Sequence, residues 1–329
     1  MKTEAKKKLY LVTGGMGFLG SALVQRLVKE GHRVRVLDNL SRGAMRRLGD
    51  AGRKVDFVRG DIRDARAVQK AARGADGVWH LAFINGTEYF YTKPDLVLDV
   101  GVRGMVNVID ACLKHKIGEL ILASSAEVYQ TPPRVPTDEK VALTIPDPLN
   151  PRFSYGAGKI ISEIMAVNFG RKYFDRVLIF RPHNVYGPDM GWEHVIPQFA
   201  VRMKKLCSKN KGQIRFPIQG TGKETRAFIF INDLIDGLMV MAKKGEHLGI
   251  YHIGTEEEVP IAKVAELVAR YFGRRIRLIR KGEAKGGTPR RCPDTSRIRR
   301  LGFRPNHSLE EGIKITCQWY DGNAHKAPA

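Results

Sequence analysis

The chain has 329 residues, 43% of them hydrophobic and 27% charged. That length fits about two domains of roughly 150 residues each, and that composition belongs to a folded globular protein, which excludes disordered and collagen-like classes. Lys and Arg number 56 against 34 Asp and Glu, a formal net charge of +22. Such an excess fits either a plainly basic exterior or an anionic partner such as a phosphorylated ligand, a nucleic acid or an anionic membrane.

The surplus is uneven. Residues 202–215 carry six basic side chains and no acidic one, and residues 271–304 carry twelve against Glu283 and Asp294. No apolar run approaches the roughly 18–20 residues of a membrane span. The lysine-rich start runs straight into a strand-like Leu9–Val12 without a cleavable leader pattern. The four cysteines, Cys112, Cys207, Cys292 and Cys317, form no C-x-x-C pair. No metal knot and no disulfide framework is therefore expected, and the thiol usage suits the cytoplasm.

In chain order, strands are expected at Leu9–Thr13, Arg33–Leu37, Val55–Arg59, Gly77–Leu81, Glu119–Ala123 and Arg176–Phe180. Between them the pattern predicts helices over Gly20–Glu30, Ala65–Ala72, Asp95–Lys114 and Ser154–Tyr173. Several strands are apolar nearly throughout, as strands buried on both faces are. The alternation argues for an α/β fold, a parallel sheet covered by helices on both faces. Six prolines between Pro132 and Pro151 mark a long loop, and loops of that length are more often functional than idle. Beyond Arg181 a helix is expected at His194–Cys207, a strand at Ala227–Ile231, a helix at Asp233–Lys243 and a strand at Tyr251–Gly254. Helices near Ile261–Phe272 and from Leu309 follow, the last opened by the capping-box pair Ser308 and Glu311. Domain boundaries are placed at 1–180 plus about 227–253, and at 181–226 plus 254–329.

Thr13-Gly-Gly-Met-Gly-Phe-Leu-Gly20 lies between the first strand and the first helix. Glycines there let the backbone approach a pyrophosphate, and the helix N-terminus supplies N–H donors and a positive dipole. Asp38, eighteen residues after Gly20, suits the ribose hydroxyls of NAD and repels the 2′-phosphate of NADP; Arg42 nearby is the residue that would favour NADP. Asp61 is placed to meet an adenine amino group with Ile62 beside the ring, the alternative being the start of the helix after Asp64. Tyr155 and Lys159 are four residues apart on a helix and so share a face. An ammonium beside a phenol lowers the phenol's pKa and makes it a general base. Ser124 and Ser125, at the end of the fifth strand, supply a hydroxyl for the same substrate oxygen.

Thr13–Gly20, Asp38, Asp61, His80-Leu-Ala, Ser124-Ser-Ala-Glu-Val-Tyr129, Tyr155 with Lys159, Arg181-Pro-His-Asn-Val-Tyr-Gly-Pro188 and Thr225-Arg-Ala-Phe together resemble the extended short-chain dehydrogenase/reductase family. More narrowly, they resemble its nucleotide-sugar epimerases, dehydratases and decarboxylases, in order from about residue 9 to 320. The resemblance implies a Rossmann-type doubly wound parallel sheet with a smaller, mixed C-terminal substrate domain. It implies NAD contacts at Gly14, Gly17, Phe18, Leu19, Gly20, Asp38, Asn39, Asp61, Ile62, Leu81, Ala82, Tyr155, Lys159 and Pro182. Ser125, Tyr155 and Lys159 match the catalytic triad, and Glu127 a further acid or base. Phe83, Ser125, Asn184, Arg226 and one of Arg290 or Arg291 match positions that touch the sugar nucleotide, the arginines clamping its diphosphate. The family often dimerises through the helices Asp95–Lys114 and Ser154–Tyr173, so a homodimer is expected, with no membrane or nucleic-acid partner.

The tripeptide Ser125-Ala126-Glu127 bears on the reaction. Dehydratases of the family resemble Asp or Ser at the middle position, and decarboxylases resemble Thr-Ser-Glu. The 4-epimerases often read Ser-Ala-Thr, and GDP-mannose 3,5-epimerases have Ser-Ala-Cys. Ala126 donates no proton, whereas Glu127 keeps a base for carbon-acid chemistry; its plain alternative is a salt-bridged carboxylate at a strand end. Phe83 replaces a small residue, Gln130 a glycine after Tyr129, and Gln219 an aromatic that many UDP-sugar enzymes carry. The expectation is an NAD-dependent nucleotide-sugar epimerase working through a 4-keto sugar, in the manner of a UDP-sugar 4-epimerase. The alternatives are a UDP-glucuronate-type decarboxylase, a 4,6-dehydratase or, from another class, a nucleic-acid-binding relative.

Overall fold

A computed structural model describes residues 7–209, 212–280, 282 and 288–326. Glu283, one of the two acids expected in the basic stretch, lies outside them. The chain forms two compact units: Met1–Gln130, Ala142–Pro182 and Leu238–Tyr251 make the first, and Thr131–Val141, His183–Gly237 and His252–Ala329 the second.

The first unit alternates strands and helices in the order β1 (Leu9–Thr13), α1 (Phe18–Lys29), β2 (Arg33–Asp38), β3 (Val55–Arg59), α2 (Ala65–Ala72), β4 (Gly77–His80), α3 (Thr87–Thr92), α4 (Pro94–Leu98), α5 (Gly104–His115), β5 (Glu119–Ala123), α6 (Ser154–Tyr173) and β6 (Arg176–Pro182). A seven-stranded sheet has the order β11-β6-β5-β4-β1-β2-β3, where β11 is Gly249–Ile253. Pairings from β6 across to β3 are parallel. β1 lies between β2 and β4, so the strand order reverses there, and the carboxyl ends of β1 and β4 open the crevice where such sheets bind ligands. All five residues of β1 and of β5 are buried, as strands covered on both faces require. The fold is thus the α/β doubly wound parallel sheet that the alternation predicted.

The remaining elements are β7 (Val185–Tyr186), α7 (Val195–Cys207), β8 (Ile214–Ile218), β9 (Thr225–Ala227), β10 (Ile229–Phe230), α8 (Ile231–Lys244), β12 (Glu258–Pro260), α9 (Ile261–Tyr271), β13 (Ile276–Arg280), β14 (Arg290–Arg291), α10 (Ser296–Arg300) and α11 (Leu309–Gly322). They include a three-stranded sheet β12-β9-β14 and the parallel pairs β10-β7 and β13-β8. Ser308 and Glu311 form the expected capping box at the start of α11.

The units divide the chain differently from the expected boundaries. Residues 227–237 belong to the second unit, because β9 and β10 pair with β12, β14 and β7 rather than with the large sheet. Part of the proline-rich loop joins them: the Thr137 N–H donates to the Cys292 carbonyl, 2.9 Å, and the Asp294 N–H to that of Thr137, 2.7 Å. The helix expected over Asp95–Lys114 is also interrupted. α4 and α5 are joined by a wider π turn at Asp99–Arg103.

Within the first unit, α6 is tied to β6 by a buried ion pair. Arg181 Nη2 and Nε lie 2.5 and 2.8 Å from Glu163 Oε2 and Oε1, with both side chains under 5% exposed. Ser124 donates to the same carboxylate, and the guanidinium reaches the Tyr129 hydroxyl. Removing one partner of such a pair leaves an uncompensated buried charge, costing about 3–5 kcal/mol. Arg181→Met is therefore expected to lower stability by that amount in urea unfolding. Adding Glu163→Leu is expected to recover most of the loss, since the stranded carboxylate goes too.

Candidate active site

The glycine turn after β1 is shaped by close backbone approach. Gly14 has φ +71°, and a Cβ there would sit 2.8 Å from Ala82 backbone atoms; at Gly20 it would sit 2.1 Å from the Gly14 carbonyl. At Gly17, which caps α1, a Cβ would meet nothing nearer than the Gly14 oxygen at 3.2 Å. The turn thus presents a bare backbone, with the first N–H groups of α1 at Phe18 and Leu19 lacking intrahelical acceptors. This cradle fits a dinucleotide pyrophosphate.

Asp38, at the end of β2, accepts the Met16 N–H on one oxygen (2.9 Å) and the Leu40 N–H on the other (2.8 Å). Each oxygen keeps a lone pair for a ribose hydroxyl. Arg42 stacks 5.5 Å from the Tyr89 ring centroid. The Thr13 hydroxyl lies 2.8 Å from His80 Nδ1 and accepts the Leu81 and Ala82 N–H groups, fixing the loop after β4. Burial pushes the His80 imidazole down to about 3, so it is neutral.

Two expectations at the adenine end change. Asp61 is tied up by Arg63, at 2.9 Å through each oxygen, and by Asn39 at 3.1 Å; the Arg63 bonds hold it down at about 2. The helix cap after it is Asp64, not Asp61. Ile62 points into the core and is 6% exposed; a Cβ on Gly104 would meet it at 2.9 Å. Pro182 ends β6 and is half-buried.

At the catalytic end, β5 delivers Ser125 and α6 delivers Tyr155 and Lys159. Ser125 accepts the Glu127 N–H at 3.1 Å, capping a short turn over Ala126–Tyr129, and hydrogen-bonds Tyr155. Gln130 closes this turn at φ +52°, a conformation that favours glycine, and its amide donates to the Glu127 carbonyl at 2.6 Å. Tyr155 and Lys159 are 6% and 3% exposed. Lys159 donates to the Ala123 carbonyl at 2.6 Å and lies 5.8 Å from the Tyr155 ring centroid. The expected lowering of the phenol by the ammonium is not found. Burial raises the Tyr155 pKa above its usual value, the Ser125 hydrogen bond opposes this, and the Glu127 charge adds to it. Burial also pushes Lys159 down to about 7, against the attraction of Glu163. Desolvation is the largest influence on both groups.

In the second unit, Arg226 and Arg291 are register partners on the parallel pair β9–β14, so their side chains leave the same face. Arg290 points to the opposite face and forms a two-pronged pair with Glu258, at 2.9 and 2.7 Å. Of the two expected arginines, Arg291 is thus the one set beside Arg226. Asn184 has φ +40° and donates to the Ala227 carbonyl at 2.9 Å, securing the start of β7 to β9.

Sequence reasoning missed Glu163 and Arg181, which hold the site from behind. The available signal was spacing: Glu163 follows Lys159 by four residues and shares its face. It also missed that Phe83 packs on the catalytic pair, with Gly101 and Gly158 leaving room for it. Among the described residues no helix is long and apolar enough to cross a membrane, and no cluster of His, Cys, Asp and Glu is suited to a metal.

A dinucleotide cradle at the sheet's reversal, with a hydroxyl, phenol and amine at the ends of β5 and on α6, defines the dehydrogenase/reductase class of Rossmann-type proteins. Residues 10–254 match the profile of the NAD dependent epimerase/dehydratase family, and the chain belongs to that family. Membership makes NAD its cofactor. The chain is 30% identical to a dTDP-glucose 4,6-dehydratase of Streptomyces antibioticus, over 95% of this chain and 92% of that one. It is 29% identical to a UDP-N-acetyl-alpha-D-glucosaminuronate decarboxylase of Bacillus cytotoxicus, over 95% and 98%. It superposes on a UDP-glucose 4-epimerase of Thermotoga maritima, solved with UDP-glucose, at a TM-score of 0.84 and 26% identity, over 96% and 99%. Similarity therefore extends to epimerases, dehydratases and decarboxylases alike.

The Asp38 carboxylate at the ribose position makes the protein expected to bind NAD(H) more tightly than NADP(H). Calorimetric dissociation constants for both decide this; tighter NADP(H) binding would move the determinant to Arg42.

Proposed function

We propose that the protein is an NAD-dependent nucleotide-sugar epimerase acting through a 4-keto sugar. The observation that carries this reading over dehydration is Ala126. It is buried between Ser125 and Glu127, and a methyl group there has no proton to give to a departing C6 hydroxyl. The Gly14–Gly20 turn and Asp38 would hold NAD, which would supply a reversible hydride acceptor for C4. Ser125 orients the 4-hydroxyl, and Tyr155 takes its proton and later returns it to the same oxygen; inversion at C4 requires that the ketone present its other face before hydride returns to the carbon. The buried Lys159 ammonium steadies the phenolate, which desolvation otherwise disfavours.

The register-paired Arg226 and Arg291 support a diphosphate ligand. Like charges side by side on adjacent strands are unfavourable by themselves, and a diphosphate neutralises them bidentately. A homodimer through α5 and α6 belongs to the same reading, supported by the exposed apolar Val106, Ile161 and Ile164. A cytoplasmic setting belongs to the same reading, supported by the free thiols of Cys112, Cys207, Cys292 and Cys317.

Glu127 favours a second reading. Its charge acts on Tyr155, and a carboxylate so placed suits proton exchange at C3 or C5 of the ketone, as 3,5-epimerisation or decarboxylation of a uronic acid requires.

The test is incubation with UDP-, GDP-, CDP- and dTDP-sugars, including uronic acids, in D₂O, with products read by NMR. A C4 epimer free of carbon-bound deuterium is the expected product. Deuterium at C3 or C5 that disappears in Glu127→Gln, with a rate loss of about 10²–10⁴-fold, would establish the second reading. A 4-keto-6-deoxy product would overturn epimerisation. In the same assay Tyr155→Phe is expected to lower turnover by about 10²–10⁴-fold while NAD binding, measured separately, stays near wild type. A near-wild-type rate in that variant would place the chemistry elsewhere.

A further inference from the structure

The loop after β4 places an aromatic ring against two buried groups of the site, Tyr155 and Lys159. The Lys159 ammonium lies 4.0 Å from the centroid of Phe83, over its face. The same ring meets Tyr155 edge-on, with centroids 5.1 Å apart and planes at 81°, and Phe90 stacks on Tyr155 at 5.0 Å. The ring's seat is made by two missing side chains. A Cβ at Gly101, in the π turn, would lie 2.2 Å from Phe83 Cζ, and one at Gly158, next to Lys159, would lie 3.0 Å from it. Ordinary surface packing needs no such double vacancy, so the ring is held where it is by its surroundings.

We propose that Phe83 is a positioning residue of the reaction: its ring face holds the Lys159 ammonium charged and in place beside Tyr155. The proposal rests on the assignment of Lys159 to catalysis. An ammonium has three donors. At Lys159 one goes to the Ala123 carbonyl, and the face of Phe83 offers a negative surface that requires no water. In a desolvated site such a face favours the ammonium over the neutral amine. The ring thereby opposes the burial that weakens Lys159 and leaves the phenolate of Tyr155 a charged neighbour.

Other ionisable groups around Lys159 are few. Glu163 on α6 attracts its charge, and Tyr155 shares its face. His80, at the end of β4, is neutral. Glu127, after β5, acts on Tyr155. Asp99 in the π turn is engaged by Arg63 and Arg103. Of these groups Tyr155 also touches the ring, so a ring that keeps its shape while losing its negative face is the substitution that isolates the effect on Lys159.

The test uses full-length protein labelled with [ε-¹³C]lysine, with the Lys159 resonance assigned through Lys159→Arg. Its titration midpoint is followed in wild type, in Phe83→Leu, and in protein carrying 3,5-difluorophenylalanine at position 83. The fluorinated ring keeps the shape and the seat but weakens the negative face. Loss of the face destabilises the ammonium, so the midpoint is expected to fall by about one pH unit in Phe83→Leu, the size of a desolvated cation–π contact. A smaller fall in the same direction is expected with the fluorinated ring. The alkaline limb of the kcat profile is expected to move down in parallel. Unchanged midpoints in folded variants would overturn the proposal. Should Phe83→Leu fail to fold, the fluorinated protein decides alone. The midpoint is read without substrate, so inactivity toward every nucleotide sugar would overturn the proposed reaction and leave this result standing.

Discussion

The buried pair of Glu163 and Arg181 is the fixed point from which the first unit's chemistry is hung. Neither charge is tolerable alone in that environment, so α6 and β6 are locked in one register, and Ser124 and Tyr129 are drawn onto the same two groups. Ser125 follows Ser124 directly. Lys159 and Tyr155 lie one and two turns before Glu163 on a shared helix face. Pro182 follows Arg181. Tyr155 and Lys159 are therefore one or two helical turns from a member of the pair, and Ser125 is one covalent step from Ser124, which hydrogen-bonds Glu163. A site built on such elements holds its geometry more precisely than one built on loops alone.

The same burial that fixes the geometry works against the chemistry. Tyr155 is harder to ionise and Lys159 harder to keep charged than either would be in water. Three local devices oppose this. Ser125 hydrogen-bonds the phenol, Glu163 attracts the ammonium, and the Phe83 ring covers it with a negative face. The last two act on Lys159 from different sides of the chain's topology, one from its own helix and one from the loop after β4. A buried titratable pair with opposing pressures of this kind is typical of reactive sites.

Much of this was legible in the sequence because the signals were local. The glycine turn, the apolar parallel strands and the Tyr155–Lys159 spacing each depend on residues close in the chain. What stayed hidden depends on long-range contacts. The helix expected over Asp95–Lys114 is interrupted at the π turn holding Gly101, whose bare backbone accommodates the distant Phe83. Ile62 packs toward Gly104, forty-two positions on, a contact that local sequence does not display. The short strands β12 and β14 are two or three residues long, below the length at which alternation can be recognised. Their pairing with β9 is nevertheless what separates Arg290 from Arg291, a distinction that adjacent identical residues in a sequence do not offer.

The two kinds of positive charge in the molecule differ in a way that bears on the proposed reaction. The cation at the catalytic end is a lysine whose proton equilibrium lies near neutrality, at about 7. The register-paired cations of the second unit are arginines, which keep their charge throughout the accessible pH range. If these arginines hold the diphosphate, a rise in pH weakens the proton-transfer apparatus while leaving the grip on the anion unchanged. Substrate retention and chemical competence are then governed by different residue types. A lysine in place of either arginine would remain charged when exposed, but it would lose the planar fork that makes the grip bidentate. An arginine in place of Lys159 would bring a permanent charge and a guanidinium too broad for the seat between Ala123 and the Phe83 ring. The choice of amine at one place and guanidinium at the other follows from these demands: a proton equilibrium that environment can tune within the site, and a charge that environment cannot remove where the anion is to be held.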